Sequence, residues 1–150
     1  MYVVASSEPS GYKEAPGSVS HPKMESSWHT FSPEVMYWGP RLVQSLWKPK
    51  EIYITENGCA ARDTIAADGK IYDTDRIMYL RAVMSNLQRA AAEGVPIKGN
   101  FVWSAFDNLE WVSGFGTRFG LIYVDYKTQQ RVPKLSASWF KEAARRNAVV

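Results

Sequence analysis

A carboxylate at the end of a strand-like segment is the first feature of this sequence that could do chemistry. Residues 52–58 read Ile-Tyr-Ile-Thr-Glu-Asn-Gly, and Glu56 directly follows the apolar alternation of Ile52 and Ile54. β-Branched and aromatic residues favour a strand here, and the Asn-Gly pair allows a sharp turn after it. The carboxyl ends of parallel strands face the loops that line active sites in α/β folds. We therefore predict Glu56 as a candidate catalytic group, against the alternative that it is a solvated strand-end glutamate.

A second segment, about fifty residues further on, repeats the pattern and adds aromatic rings. Residues 101–111 read Phe-Val-Trp-Ser-Ala-Phe-Asp-Asn-Leu-Glu-Trp, a strand-like run that ends in polar and aromatic residues. Carboxylates bind sugar hydroxyls or act on glycosidic bonds, and Trp faces stack on the C–H surfaces of a pyranose. Glu56 together with Trp103, Glu110 and Trp111 therefore indicates a sugar site. Asp107 and its neighbour Asn108 are expected to hold the loop by hydrogen bonds to the backbone.

Composition and charge argue against several other classes of function. The 18 basic and 15 acidic residues give a net charge of +3, and the basic residues are scattered, which disfavours a nucleic-acid surface. The single cysteine, Cys59, excludes an intramolecular disulfide, and we expect it to be a small packed residue and not a reactive thiol. His21 and His29 lack the neighbours of a metal site, so we expect no metal and no cofactor. The single cysteine fits a cytoplasmic location. The sequence has no apolar run long enough to span a membrane, and its N-terminus does not resemble a signal peptide.

The candidate residues need elements to position them, and the sequence predicts alternating helices and strands. The predicted elements, in order, are a loop-rich lead over 1–31 that contains the end of a strand at 1–5, a helix from Ser32 to about Trp47 with a kink or break at Gly39-Pro40, a strand over 51–55, a helix from 73 or 75 that ends at Gly94, a strand over 99–103, a hairpin over 121–132 and a helix from 133 or 134 to 146. Trp38, Trp47 and Trp139 are predicted as core residues on the inner helix faces. The βα units of 32–147 define an α/β chain wound in parallel.

Two central strands are too few for a closed sheet. Both strands have long apolar faces, and an α/β barrel needs eight strands to close. Both faces of each strand also need cover that this chain cannot fully supply. The sequence therefore predicts an incomplete α/β unit.

Four motifs resemble the C-terminal third of the family 1 glycoside hydrolases, the β-glucosidase type. They are Ile-Thr-Glu-Asn-Gly at 54–58, Trp-Ser-Ala-Phe-Asp-Asn-Leu-Glu-Trp at 103–111, Arg-Phe-Gly-Leu at 118–121 and Tyr-Val-Asp at 123–125. The resemblance runs from about Trp28 to Asn147, and several long motifs in the same order make it specific. It implies a partial (β/α)8 barrel, of which residues 1–150 are a C-terminal fragment with the last two strands and their helices.

The resemblance also implies roles for individual residues. Glu56 matches the nucleophile on the seventh strand, which forms a glycosyl-enzyme in a retaining mechanism while a second carboxylic acid protonates the leaving oxygen. The residues implied to bind substrate are Glu110 and Trp111 at distal hydroxyls, Trp103 beneath the ring, Phe119 in the same subsite and Trp28 at the aglycone. A carboxylate at Glu110 would repel a phosphate, so a non-phosphorylated β-glycoside is the expected substrate.

One departure from the family pattern limits what this chain does alone. The family's acid/base lies in an Asn-Glu-Pro segment, and the only Glu-Pro pair here is Glu8-Pro9, which follows a serine and lies in a loop. We therefore expect a retaining exo-β-glycosidase that is inactive without the missing N-terminal part of a barrel or another partner chain. The alternative is a non-catalytic sugar-binding or interaction module, and a third hypothesis is a folding fragment that self-associates.

Overall fold

A computed structural model describes residues 3–14 and 19–150 of the chain. It contains three pairs of strands and three α-helices in these ranges. The strands are β1 (Val3–Ala5), β2 (Tyr12–Glu14), β3 (Ile52–Asn57), β4 (Ile97–Val102), β5 (Ile122–Val124) and β6 (Arg131–Pro133). The helices are α1 (Val35–Trp47), α2 (Thr74–Ala92) and α3 (Leu135–Arg146), with a short 3-10 helix at Trp111–Ser113. The α/β class predicted from the sequence is confirmed.

β3 and β4 form a parallel pair at the centre of the chain. Ile52 lies opposite Ile97, and Asn57 lies opposite Val102, so the carboxyl ends of the two strands meet at one edge. Ile52 and Ile97 pack against a small core made by α1, α2 and the segment between α2 and β4, with the buried members Tyr37, Ala90 and Val95. The prediction for β3 ended two residues too early, and the prediction for β4 began two residues too late. The correct β3 includes Glu56 itself.

A second core lies between α2, α3 and the loop that follows β3. Its buried members are Cys59, Tyr79, Leu80, Val83 and Leu121. Trp139 and Phe140 of α3 pack against it, which confirms Trp139 as a core residue. Cys59 is fully buried, as expected of a small packed residue, and burial raises the pKa of its thiol to about 12.

The prediction that Trp38 and Trp47 are core residues is wrong. Their side chains are 63% and 72% exposed, and Tyr37 and Pro40 are the buried residues of α1. Leu42 and Leu46 share this exposed face of α1. Helical periodicity identifies which residues share a face, but whether a face is buried depends on a layer that packs on it. The described part of this chain supplies no such layer for the Trp38 face of α1.

The start of α1 also differs from the prediction. The helix begins at Val35, and Ser32, the predicted N-cap, accepts no capping hydrogen bond because Glu34 occupies the cap position. A single helix continues through Pro40, where two segments were an alternative. Proline removes only one donor from the helix, and α1 tolerates that loss within its first two turns.

The predicted hairpin near the C-terminal end is confirmed, as β5 pairs with β6 in antiparallel register. The antiparallel pair β1–β2 was missed because its second strand lies in a polar segment predicted as loop. Within residues 3–14 and 19–150, no helix has the length and apolar character needed to cross a bilayer. Residues 1 and 2 of the predicted first strand, and 15–18 of the predicted loop, lie outside the described residues.

Candidate active site

The carboxyl ends of β3 and β4 bring Glu56 and Trp103 to the same edge of the sheet. Glu56 is the penultimate residue of β3 and its side chain is exposed. Trp103 directly follows β4, and its backbone N–H donates to the carbonyl of Asn57 at 3.0 Å. The residue after Glu56 and the indole-bearing residue are therefore hydrogen-bonded neighbours. A carboxylate at this place is accessible to a ligand and is held by a strand.

Asn57 fixes the strand end directly after Glu56. Its side chain is buried, and its Nδ2 donates to Oδ1 of Asn100 on the neighbouring strand at 3.1 Å. The hydroxyl of Tyr79 from α2 donates to Oδ1 of Asn57 at 3.4 Å. The sequence predicted Asn57 as a turn residue and missed this role. Both contacts restrain the backbone that carries Glu56.

Gly58 allows the two strand ends to approach. A Cβ placed on Gly58 would lie 1.8 Å from the backbone oxygen of Trp103, so no side chain fits there. The Trp103–Ser104 peptide bond beside it is cis. Ser104 then donates its backbone N–H to the carbonyl of Phe119 at 3.2 Å, which connects the end of β4 to the segment before β5.

We expect Gly58→Ala to destabilise the chain by about 1–3 kcal/mol, because the added methyl group forces the two strand ends apart. Gly39→Ala is the matched control, since nothing lies within 4 Å of its Cβ and it sits inside α1. That control should gain about 0.5–1 kcal/mol from higher helix propensity. Urea unfolding of both variants gives the two free energies. Equal stabilities would show that the contact between Gly58 and Trp103 is absent in solution.

Glu110 and Trp111 lie in the loop after β4, where backbone hydrogen bonds define a tight turn. The N–H of Glu110 donates to the carbonyl of Gly114, and the N–H of Ser113 donates to the carbonyl of Glu110, both at 2.8 Å. Trp111 has a positive φ of 43° and is 83% exposed. Glu110 is partly exposed. The turn therefore leaves a carboxylate and an indole side by side and available to a ligand.

Asp107 holds the same loop through hydrogen bonds in the protein interior. Its Oδ1 accepts from the backbone N–H of Gly120 at 3.0 Å and from Nζ of Lys134 at 2.7 Å, and its side chain is fully buried. Asn108 donates from Nδ2 to the hydroxyl of Ser104 at 3.0 Å and to the carbonyl of Phe106 at 3.1 Å. These contacts confirm the predicted loop-holding role of both residues.

Trp28 and Phe119 form a stacked pair. Their ring centroids lie 6.0 Å apart with an interplanar angle of 20°, and Trp28 also stacks on His29 at 5.5 Å. Phe119 is only 5% exposed, so Trp28 presents the accessible aromatic surface of the pair and Phe119 supports it. The structure therefore places Phe119 beneath a ring surface, where the sequence predicted a lining residue.

Two surface cavities lie close to α1. One of about 420 Å³ is lined by Trp28, His29, Thr30, Ser32, Glu34, Val35, Trp38 and Tyr79. Another of about 640 Å³ lies against the exposed face of α1 and is lined by Trp38, Gly39, Arg41, Leu42, Gln44 and Ser45. Neither cavity includes Glu56, Glu110 or Trp111. These three residues therefore belong to an open surface of this chain, and not to either of the two cavities.

Sequence reasoning missed a set of buried charged residues beneath the site. We call it the buried ion network, and its members are Asp63, Asp73, Asp107, Arg76, Arg118 and Lys134. The three carboxylates and the Lys134 side chain are fully inaccessible, and burial lowers the pKa of Lys134. Partners up to 71 residues apart in the sequence leave no local pattern that predicts them. Among the described residues, no group of three or more His, Cys, Asp or Glu side chains could hold a metal ion.

The chain is thus an α/β unit with an exposed carboxylate and indoles at the carboxyl edge of a parallel pair of strands. The model of glycosyl hydrolase family 1 matches residues 4–149, and the chain belongs to that family.

Two of its relatives differ in their named activity. It is 43% identical over 141 residues to β-glucosidase A of Thermotoga maritima, which covers 91% of this chain and 31% of the relative. It is 51% identical over 92 residues to a 6-phospho-β-galactosidase of Clostridium acetobutylicum, with 61% of this chain and 19% of the relative covered. The chain thus resembles both a family member named for a non-phosphorylated glycoside and one named for a phosphorylated glycoside.

Solved structures give the same assignment. The family 1 β-glucosidase from Thermotoga maritima in complex with isofagomine lactam superposes with a TM-score of 0.90 at 38% identity. The superposition covers 97% of this chain and 32% of that structure. The chain therefore spans about a third of the length of the relatives it matches.

Proposed function

We propose that this chain supplies the nucleophile and part of the sugar site of a retaining exo-β-glycosidase of the β-glucosidase or β-galactosidase type. The observation that carries the proposal is Glu56, an exposed carboxylate at the carboxyl end of a parallel strand, one residue from the hydrogen bond that fixes Trp103. Glu56 attacks the anomeric carbon and forms a glycosyl-enzyme, while a second carboxylic acid protonates the leaving oxygen. Membership of family 1 supports this assignment.

The aromatic residues and Glu110 complete this part of the sugar site. Trp103 provides a ring surface next to Glu56, and the exposed indole of Trp111 and the carboxylate of Glu110 bind hydroxyl groups. Trp28, supported by Phe119, provides an aromatic wall for the aglycone. This set offers hydrogen-bond acceptors and stacking surfaces, which are the contacts a pyranose uses.

The substrate proposed is a β-glycoside without a phosphate group. A carboxylate at Glu110 repels a phosphate dianion, and two unit charges of like sign about 4 Å apart cost about 1–4 kcal/mol near a surface. Some relatives are named 6-phospho-β-galactosidases, so the substrate class needs a test. The rate of hydrolysis of an aryl β-glucoside is compared with that of the corresponding aryl β-glucoside 6-phosphate. Faster hydrolysis of the phosphorylated compound would contradict this part of the proposal.

The architecture proposed is a partial (β/α)8 barrel in which β3 and β4 are the last two strands. The chain spans about a third of its relatives, and the β3–β4 pair is joined to no other strand in the described residues. Unpaired strand edges and the exposed apolar face of α1 both favour association. The partner proposed is the remaining part of a barrel, and self-association of this chain is the competing outcome.

We expect the double variant Leu42→Glu/Leu46→Glu to bind the remaining part of the barrel at least about tenfold more weakly. Each of these leucines would contribute about 1.5–3 kcal/mol when the interface buries it. The probe is the portion of Thermotoga maritima β-glucosidase A that this chain does not match, measured by calorimetry. Ser85→Glu/Gln88→Glu on the exposed side of α2 is the control for added charge. Unchanged affinity of the first variant, or a stable complex of this chain with itself alone, would contradict the proposed interface.

The test of the proposed activity uses this chain combined with that Thermotoga portion, which we call the complemented chain. It should hydrolyse an activated aryl β-glucoside, while the chain alone should not. The alternative function, a non-catalytic sugar-binding module, is favoured by the lack of an Asn-Glu-Pro segment in this sequence. Sugar binding without any hydrolysis by the complemented chain would support the alternative. A cytoplasmic location stays a prediction from composition.

A further inference from the structure

The buried ion network connects the loop that follows Glu56 and β3 with the loop that carries Glu110. Its charges balance, with carboxylates at Asp63, Asp73 and Asp107 opposite cations at Arg76, Arg118 and Lys134. Buried charges need partners of opposite sign, because an unpaired charge in a protein interior is strongly destabilising. The network is therefore electrically neutral, and removal of any one member leaves a net charge in the protein interior.

Arg76 of α2 holds the loop that follows Glu56. Its Nε donates to the carbonyl of Cys59 at 3.3 Å, three residues after Glu56. Its Nη1 and Nη2 donate to the two carboxylate oxygens of Asp63, both at 3.0 Å. This bidentate geometry fixes direction as well as distance. The backbone after β3 is therefore attached to the network at two points.

Asp107 holds the loop that carries Glu110, three residues further on. Besides Gly120 and Lys134, it accepts from Nη1 of Arg118 at 2.5 Å and from the N–H of Val124 at 3.4 Å. Both of its oxygens are thus occupied, and the start of this loop is attached to the segment that leads into β5.

Lys134 joins the two halves. Its Nζ donates to Oδ2 of Asp63 at 2.5 Å and to Oδ1 of Asp107 at 2.7 Å, and all three side chains are inaccessible to solvent. A continuous path of hydrogen bonds therefore runs from Cys59 through Arg76, Asp63 and Lys134 to Asp107. Among the described contacts, Lys134 is the one side chain that touches both Asp63 and Asp107. Arg76 and Arg118 connect the two carboxylates less directly, because Arg76 reaches only the backbone carbonyl of Arg118, at 2.9 Å.

We propose that Lys134 is a positioning residue that sets the separation between Glu56 and the Glu110–Trp111 pair. The proposal rests on the proposed function for the meaning of that separation. A catalytic carboxylate and the groups that bind the sugar must keep a fixed geometry for the anomeric carbon to reach the nucleophile. Without the Lys134 cation, the network has three carboxylates and two cations, and the oxygens of Asp63 and Asp107 lose the donor they share, so the two loops move apart.

The test measures the distance between the loops directly, on the chain itself and without any sugar. Spin labels on Thr55→Cys and Val112→Cys, both exposed positions, report the separation of the segments that carry Glu56 and Glu110. Cys59 is fully buried and stays unlabelled. We expect one sharp distance in the parent chain and the loss of that sharp distance in Lys134→Met. A second label pair at Ser45→Cys and Gln88→Cys reports α1 against α2, and should be unchanged.

Two further variants separate positioning from general stability. Lys127→Met removes an exposed lysine and should leave both distances as they are. Lys134→Met/Asp107→Asn removes one cation and one anion, restores the charge balance and should recover part of the sharp loop distance. An unchanged Thr55–Val112 distance in Lys134→Met, or equal broadening of both label pairs, would overturn the proposal. Because no sugar is used, a failed assignment of Glu56 would leave this result standing.

Discussion

Glu56→Gln in the complemented chain is expected to lower the hydrolysis of an activated aryl β-glucoside by on the order of 10⁴-fold or more, as removal of a covalent nucleophile does. The amide is nearly the same size as the carboxylate but cannot form the glycosyl ester. Because Glu56 is exposed and its neighbour Asn57 holds the strand end, the fold and sugar binding should persist. Steady-state kinetics together with binding of isofagomine lactam measure the two effects separately.

The control for this substitution lies at the other end of the same strand. Glu51 is also exposed, immediately precedes β3, and accepts from the hydroxyl of Tyr53 at 3.4 Å. Glu51→Gln should therefore leave turnover within about twofold, since a surface substitution away from the site changes little. Equal losses in Glu56→Gln and Glu51→Gln would assign the effect to the strand and not to the nucleophile.

The second large effect is on stability. Asp107→Asn should lower the free energy of unfolding by about 3–5 kcal/mol, because it leaves Arg118 without its carboxylate partner and Lys134 with Asp63 as its remaining one. The amide keeps the shape of the side chain, so loss of charge and of acceptor capacity is the main change. Chemical unfolding of the chain, followed by the far-ultraviolet circular dichroism signal, measures this difference.

Glu25→Gln provides the comparison for the Asp107 substitution. Glu25 forms an exposed ion pair with Arg62 at 3.7 Å, and such pairs contribute about 0–1 kcal/mol. The decrease in the free energy of unfolding of Glu25→Gln should therefore be close to the measurement error. If Asp107→Asn were as mild as Glu25→Gln, water would have to reach Lys134 in solution, and the buried ion network would not hold as described.

The sequence predicted the elements that depend on local pattern. Alternating Ile52 and Ile54 identified β3, and helical spacing of Leu80, Val83 and Leu87 identified α2. The same reasoning assigned Trp38 and Trp47 to the core, although they are exposed. Periodicity gives the direction of a face but carries no information on the layer that covers it.

The candidate site divides in the same way. The strand-end position of Glu56 follows from local pattern, and so does the loop-holding role of Asp107. The contact of Gly58 with Trp103 and the pairing of Lys134 with Asp63 join residues far apart in the sequence, and no local signal announces them. These two contacts, which hold the candidate site in place, could therefore be identified only from the three-dimensional structure.

Mass spectrometry of the complemented chain, after reaction with a 2-deoxy-2-fluoro β-glucoside that bears a good leaving group, identifies the residue that forms the glycosyl-enzyme. Such a compound traps the glycosyl-enzyme of a retaining mechanism because the fluoroglycosyl-enzyme is hydrolysed slowly. We expect one added fluorosugar on the peptide that contains Glu56. A sugar on a different carboxylate, or full hydrolytic activity with no labelled peptide, would contradict it.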